Sequence, residues 1–216
     1  LIDIQKSVIL DDQDSDKFMT LGYLRSIYLD QVEKGLKDLN KAIDMNPGNS
    51  LAYLLRGNVN RLMAEKSKAK FFSAADYKES ELQKIIQFNN ASINDFSKSI
   101  EYYKNDFNTY YKRLFPFGYL HYSYGSRGSV YYNLGADYKE FRGIRNKELS
   151  KKFLNLSLSD FDLLIEYAPT IDEVENLKNP SKEFEVDFVK LTGHTWKGDT
   201  YSWLNKFATA CKNWRK

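Results

Sequence analysis

The stretch from Asp38 to Asn49, DLNKAIDMNPGN, sets a pattern that the rest of the chain repeats. Three other stretches share its register: DIQKSVILDDQD from Asp3, DFSKSIEYYKND from Asp95 and DFDLLIEYAP from Asp160. Each has Asp at the first position, a bulky apolar residue at the second, a small or apolar residue at the fifth and Val or Ile at the sixth. Positions 2, 5 and 6 lie on one face of an α-helix. Each copy therefore predicts a helix with one buried stripe.

A shorter fifth copy, KNWRK, begins at Lys212 and matches KDLNK from Lys37. The repeats are thus predicted to be incomplete at both ends of the sequence. An incomplete repeat leaves uncovered the apolar stripe that a neighbouring repeat would bury. We therefore expect self-association, or a covering helix outside this sequence, and the residues concerned are Leu1, Ile4, Val8 and Trp214.

A second recurring segment precedes three of these copies, and it places one glycine inside a helical pattern. The segments are LGYLRSIY around Gly22, RGNVNRLM around Gly57 and RGSVYYNLG around Gly128. Glycine inside a helix is less favourable than alanine by roughly 0.5 to 1 kcal/mol. Its recurrence at one register therefore predicts a close contact between helices that a side chain would block.

Together the two segments resemble the tetratricopeptide repeat, a hairpin of two helices, A and B. That family has an aromatic residue, Leu-Gly and Tyr on helix A, and Ala, an aromatic residue and Pro on helix B. The stretch from Tyr122 to Gly135, YSYGSRGSVYYNLG, matches the helix A pattern except that Arg127 replaces the leucine. The helix B residues that match are Ala42 with Pro47 and Phe161 with Pro169.

The resemblance implies an all-α solenoid of stacked antiparallel helix hairpins, wound into a right-handed superhelix. We expect one domain over residues 1–216, with about three full repeats, partial terminal repeats and a degenerate last repeat at about 181–216. The intervals between the first aspartates of successive copies are 35, 57 and 65 residues, whereas the family period is about 34. Insertions are therefore expected near 65–80, 105–117 and 136–150.

Local signals predict several element boundaries. Asp14 or Ser15 is expected to cap a helix that runs to about Leu29, followed by a helix over 32–45. Ser50 is the expected cap of the next helix. Residues 65–80 lack a clean period and are interpreted as a loop or a frayed helix extension, before a long helix B from about Glu81. In the last repeat, Gly193 is predicted to take the place of Gly128.

The composition narrows the classes of function. The chain has 42% hydrophobic and 28% charged residues, a net charge of +3 and no run of 18 apolar residues, so no transmembrane segment is expected. The single Cys211 with His121 and His194 does not form a zinc-binding pattern. GSRGSV at Gly125 and KLTGHTWKG at Lys190 lack the spacing of phosphate-binding loops. We therefore expect no catalysis, no metal and no cofactor, and the sequence does not indicate a compartment.

The resemblance implies a protein-binding or peptide-binding scaffold or adaptor module, because certain helix A positions of the family face the concave side of the superhelix. Carried over by register from the three glycines, these positions combine hydrogen-bond donors with aromatic rings, as a peptide groove does. They are Tyr23, Ser26, Asn58, Arg61, Ser129 and Tyr132.

A basic segment supports an alternative, a surface that binds RNA or an acidic membrane face. Between Lys139 and Lys152 there are six basic and two acidic residues. Glu140 and Glu148 interrupt the positive run, so a solvated helix face is the simpler interpretation and a nucleic-acid partner is not expected. The residues of the basic segment are Arg142, Arg145, Lys147, Lys151 and Lys152.

Overall fold

A computed structural model describes residues 14–73, 79–106, 118–140, 144–169 and 181–215. The described residues form eight α-helices. In chain order they are α1 (Ser15–Tyr28), α2 (Val32–Met45), α3 (Ser50–Ser73), α4 (Glu79–Asp106), α5 (Leu120–Glu140), α6 (Lys147–Glu166), α7 (Ser181–Trp203) and α8 (Phe207–Trp214).

The helices pack as consecutive hairpins, α1 with α2, α3 with α4, α5 with α6 and α7 with α8. Further packing of α2 against α3 and of α6 against α7 joins one hairpin to the next. The all-α architecture of stacked helix hairpins is thereby confirmed. The chain divides into two compact units, Leu1–Asp106 and Phe107–Lys216. The prediction of a single repeat domain over residues 1–216 stays a prediction.

Local capping explains where α1 and α3 begin. The Asp14 side chain accepts a hydrogen bond from the Asp16 backbone N–H at 2.9 Å, so the predicted cap of α1 is confirmed. α2 has the predicted bounds. The cap of α3 is Asn49 rather than Ser50, because the Asn49 Oδ1 atom accepts from the Ala52 backbone N–H at 2.9 Å. The predicted cap was wrong by one residue.

The first predicted insertion takes the form of longer helices. α3 continues to Ser73, so a loop over 65–73 was the wrong alternative and the helix extension was the right one. Residues 74–78 lie outside the described ranges. α4 has 28 residues, which confirms the long helix B.

The other two predicted insertions are only partly described. At the second, α4 reaches Asp106 and residues 107–117 lie outside the described ranges. At the third predicted insertion, near 136–150, α5 continues to Glu140 and the Asn146 side chain caps α6.

The recurring glycines mark the closest contacts within the hairpins. A Cβ atom on Gly57 would lie 2.8 Å from the Phe96 ring, and one on Gly128 would lie 2.8 Å from the Phe161 ring. Phe96 and Phe161 occupy the second position of the repeated motif. The prediction that these glycines sit where helix A meets helix B, with no room for a side chain, is confirmed.

The last hairpin corrects one predicted equivalence. A Cβ atom on Gly198, not on Gly193, would collide with the motif's second residue, which here is Trp214. Gly193 instead lets α7 approach the preceding hairpin, since a Cβ atom added there would lie 2.6 Å from Ile165 of α6. The sequence could have indicated that Gly198 is equivalent to Gly57 and Gly128. A basic residue precedes all three glycines, Lys197 in the last hairpin and an arginine in the other two.

Each unit buries its own apolar side chains. In the first unit these include Leu21, Leu39 and Phe96. In the second unit, Phe161, Leu164, Ala168 and Val189 form a core cluster, and aromatic rings of α5 and α7 pack against it. None of the helices in the described ranges is both long enough and apolar enough to span a bilayer.

Candidate functional site

In the three described motifs that begin with aspartate, this residue is paired with an arginine of the same hairpin. Asp95 accepts hydrogen bonds from Arg56 Nε at 3.0 Å and Nη2 at 2.6 Å. Asp160 accepts from Arg127 Nε and Nη2, both at 2.8 Å. In the first hairpin, Arg25 Nη1 lies 2.5 Å from an oxygen of Asp38. The most regular charged residues of the repeat therefore join helix A to helix B and do not form a ligand site.

These carboxylates lie in a poorly hydrated environment. Asp95 is 2% exposed and Asp160 is 3% exposed. Burial raises the pKa of both carboxyl groups, and the arginine hydrogen bonds partly offset that effect. Sequence analysis missed the pairs, although the recurrence of Asp in the motif and of Arg before Gly57 and Gly128 was a usable signal.

Two of the predicted groove residues lie on neighbouring A helices, because Tyr23 is on α1, Arg61 is on α3 and these helices pack against each other. Burial, followed by Tyr28, raises the pKa of Tyr23 above its usual value, and the Arg61 charge partly offsets that effect. Asn58 is half-buried and lies one turn before Arg61, on the same face of α3.

The Arg61 guanidinium is only partly engaged. Its Nη1 atom donates to Glu65 Oε1 at 2.6 Å, and both side chains are partly exposed. Its Nε–H has no acceptor within the described chain. An exposed ion pair between residues i and i+4 contributes only about 0.3 to 0.5 kcal/mol. A ligand carboxylate could therefore replace Glu65 without a large penalty.

The other predicted groove residues have different surroundings. Ser26 is 1% exposed and donates to the Gly22 carbonyl at 2.9 Å, so its side chain lies inside the first hairpin. Ser129 donates to the Ser126 carbonyl at 2.8 Å. Tyr132 accepts a hydrogen bond from Trp203 Nε1 at 2.7 Å, in the second unit. That all six residues line one concave face stays a prediction.

Three exposed apolar side chains lie at the end of α1, and sequence analysis missed them. Ile27, Tyr28 and Leu29, at the end of α1, are 36%, 72% and 39% exposed. The next residue, Asp30, forms an ion pair with Lys66 of α3. Hydrogen bonding to Lys66 is the main cause that lowers the pKa of Asp30, and Lys70 adds to it. The end of α1 therefore lies along the basic part of α3.

The basic segment lies at the start of α6 in the second unit. Four of its residues, Arg145, Lys147, Lys151 and Lys152, are exposed. Arg142 falls outside the described ranges. Arg145 Nη2 donates to the Glu140 carbonyl at 3.4 Å. Among the residues that the structure describes, these four cations form no ion pair with a carboxylate.

In the described ranges, no group of three His, Cys, Asp or Glu side chains is arranged to hold a metal ion. His121 is buried and Cys211 is exposed. The absence of catalysis stays a prediction.

These features define the class: the chain is an all-α protein built from repeated helical hairpins. No protein-family model matches the chain, and no curated protein matches it. Among solved structures, a monomeric mutant of IFIT1 with Gppp-AAAA is similar over 98% of this chain, with 13% identity and a TM-score of 0.38. The match spans 44% of that structure's chain. A likeness this weak favours neither a peptide nor a nucleic acid as the partner of this chain.

Proposed function

We propose that this chain is a non-catalytic binding module of the tetratricopeptide type, which holds a peptide segment of another protein on the surface formed by α1 and α3. The observation that carries the proposal is that α1 packs against α3, with Tyr23 on the first of these helices and Arg61 on the second. The two residues lie on successive A helices, where the resemblance places a ligand-binding face.

The chemistry of this surface suits a peptide. Tyr23 offers a flat apolar ring that loses little entropy when a ligand binds. Arg61 has Nη donors beyond the one that Glu65 uses, and these can bind a carboxylate or a backbone carbonyl. Asn58, on the same face, provides an amide that both donates and accepts.

A specific observation supports a second candidate function, binding to RNA or to an acidic membrane face. Arg145, Lys147, Lys151 and Lys152 are exposed, and no carboxylate of the described chain pairs with them. Binding by such a patch depends on phosphate contacts and weakens steeply as salt is added.

One experiment separates the two candidates. Random short peptides displayed on phage are selected on the full chain, and the affinity of the selected peptides is then measured for Arg61→Glu. We expect the affinity to fall more than tenfold, which is about 1.4 kcal/mol. The melting temperature should stay nearly unchanged, because Arg61 is partly exposed.

The control variant is Lys84→Glu, which reverses the charge of a different exposed cation of the same unit. A second variant replaces Arg145, Lys151 and Lys152 with Gln. The peptide-binding proposal fails if Arg61→Glu binds like the wild type. If only the triple variant loses affinity, and the affinity of the wild type falls more steeply with added salt than that of the variant, the basic segment is the binding surface.

A further inference from the structure

The last helix exposes a strip of apolar side chains. Phe207 and Trp214 are 60% and 46% exposed, and they are seven residues apart, so they lie on one face of α8. The exposed Cys211 lies between them on that face, four residues after the first and three before the second. The buried Ala210 and Asn213 turn the adjacent face of α8 toward the protein. We call Phe207, Cys211 and Trp214 the α8 strip.

The last hairpin fixes the position of Trp214 in this strip. Its Nε1 atom donates to Asp199 Oδ1 at 3.1 Å, and its ring lies against Gly198, where a side chain would collide with it. Nε1 is the one polar atom of an indole ring, and Asp199 already binds it. The exposed remainder of the Trp214 ring is therefore apolar and held in place.

The surroundings of the α8 strip are basic. Residues 200–216 include four basic and no acidic side chains. Lys206, Lys212 and Arg215 are exposed, and none of them pairs with a carboxylate in the part of the chain that the structure describes. Arg215 is one helical turn after Cys211, so a cation directly borders the strip.

The basic segment lies at the same end of the second unit as the start of α8. At the end of α5, Lys139 Nζ donates to the Trp203 carbonyl, which ends α7, at 2.6 Å. The Asn146 backbone N–H, just before α6, donates to the Tyr138 carbonyl of α5 at 2.8 Å. The end of α5 therefore adjoins both the turn that leads into α8 and the first residues of the basic segment.

We infer that α8 docks on the surface of an anionic phospholipid bilayer, with the rings of Phe207 and Trp214 among the headgroups and the cations beside them against lipid phosphates. The inference goes beyond the peptide surface of α1 and α3 and does not depend on it. It rests on the second candidate function only for the contribution of the basic segment. To that candidate it adds an apolar anchor, and it selects the membrane as the partner.

The chemistry of the α8 strip suits a boundary between water and lipid. Aromatic rings partition to the level of the headgroups, and lysine and arginine side chains are attracted to anionic lipids. A helix that combines the two lies in the plane of the membrane surface with its apolar face inward. Phe207 and Trp214 provide that face, and Lys212 and Arg215 provide the charge.

Two other occupants fit the α8 strip less well. A second copy of the chain would bring the cations of two α8 helices together, and residues 200–216 offer no carboxylate to balance them. A single-stranded nucleic acid stacks its bases on aromatic rings and also needs polar groups beside them. Between the two rings lies Cys211, whose thiol is a weak hydrogen-bond donor. A bilayer requires no polar contact at that position.

The test measures co-sedimentation of the full chain with vesicles of equal parts phosphatidylcholine and phosphatidylserine. We expect binding that weakens as salt is added, and no binding to vesicles of phosphatidylcholine alone. Phe207→Ser and Lys212→Glu should each lower the partition coefficient about tenfold. Both side chains are exposed, so the circular dichroism of both variants should be unchanged. The matched controls Leu191→Ser and Lys84→Glu alter exposed residues outside the strip and should bind like the wild type.

A dye on the strip itself gives a second measurement. Cys211 is the single cysteine of the chain and is exposed, so an environment-sensitive thiol dye can be attached there. Its emission should shift to the blue when the anionic vesicles are added. Thr209 is exposed on the opposite side of α8. The same dye on Thr209→Cys, in a Cys211→Ser background, should not shift.

The inference is overturned if the anionic vesicles do not bind, if Phe207→Ser binds them like the wild type, or if the dye shifts equally at both positions. If only replacement of Arg145, Lys151 and Lys152 with Gln abolishes vesicle binding, the basic segment keeps its candidate role and the α8 strip has none. Displacement of the vesicles by a short oligouridylate would assign the surface to a nucleic acid instead. A dimer in analytical ultracentrifugation that Phe207→Ser disrupts would assign the strip to self-association. The peptide surface is tested separately, by Arg61→Glu.

Discussion

At the scale of single residues, the paired Asp160 and Arg127 show how the repeat uses charge. The two parallel hydrogen bonds fix the guanidinium and the carboxylate in one plane, which sets the position of α5 against α6. The side chains are 18% and 4% exposed, so desolvation opposes much of their attraction. The pair therefore fixes the position of one helix against the other more than it adds to the free energy of unfolding. The same holds for Asp95 with Arg56.

A double-mutant comparison tests this role. Arg127→Leu restores the residue type of the tetratricopeptide pattern but leaves the Asp160 carboxylate buried without its cation. We expect that variant to lose roughly 2 to 4 kcal/mol of unfolding free energy, because an unpaired buried charge is costly. Adding Asp160→Asn should recover a substantial part of the loss. Urea denaturation measures both, and a double variant less stable than Arg127→Leu would contradict the argument.

The same variants predict a pH dependence. Burial already raises the pKa of Asp160, and removing Arg127 removes the effect that lowers it. A carboxyl whose pKa is higher in the folded than in the unfolded state destabilises the fold as pH rises from its unfolded value, about 3.9, through its folded value. The difference in unfolding free energy between the wild type and Arg127→Leu should therefore become smaller as the pH is lowered from 7 to about 4.5. An equal deficit at both pH values would show that Asp160 does not titrate in this range.

At the scale of elements, helix contact depends on glycines that admit a large side chain of the partner helix. Gly128 accommodates the Phe161 ring and also lies near Asp160, whose Cβ atom would stand 3.1 Å from an added Cβ. The bulky second residue of the motif and the helix A glycine are thus two halves of one contact. This explains why both recur together.

Gly128→Leu is expected to lower the unfolding free energy by about 1 to 3 kcal/mol, since the side chain must displace the Phe161 ring. Thermal and urea unfolding measure the effect. Gly48→Ala is the matched control, because its nearest neighbour would be Asn46 Oδ1 at 3.7 Å, an ordinary contact. The control should change stability by no more than about 0.5 kcal/mol. A neutral Gly128→Leu would mean that the hairpin can separate without cost.

At the scale of the whole molecule, the chain consists of two compact units that each contain paired hairpins and buried apolar side chains. Unit Leu1–Asp106 includes Tyr23 and Arg61, and unit Phe107–Lys216 includes the basic segment. The two candidate binding surfaces therefore belong to different units. Self-association through Trp214 stays a prediction, as Leu1, Ile4 and Val8 lie outside the described ranges.

We predict that residues 1–106 and 107–216, produced separately, each fold into a helical and cooperatively unfolding unit. The physical reason is that each contains its own buried apolar side chains, among them Leu39 and Phe96 in the first and the cluster of Phe161 and Leu164 in the second. Circular dichroism and urea titration of the two pieces measure this. Loss of cooperative unfolding in either piece would show that one core extends through the full chain.

Much of the fold followed from the sequence, because helix formation depends on neighbours three and four residues apart. The motif from Asp38 predicted α2 to the residue, and Asp14 identified the start of α1. The recurring glycines predicted close contact between helices A and B, since only a tight approach offsets their unfavourable helix propensity. The all-α hairpin architecture rests on these local signals.

Tertiary structure decided what depends on residues far apart in the chain. Helix packing buried Ser26, placed Gly198 rather than Gly193 against Trp214, and paired Arg127 with Asp160. It also packed the helix of Tyr23 against the helix of Arg61, a residue 38 positions later, and set the end of α1 beside Lys66. A periodic pattern shows which face of a helix is buried, but the crossing of two helices determines which exposed residues meet. The candidate site consists of residues from different helices, so only the tertiary structure could identify it.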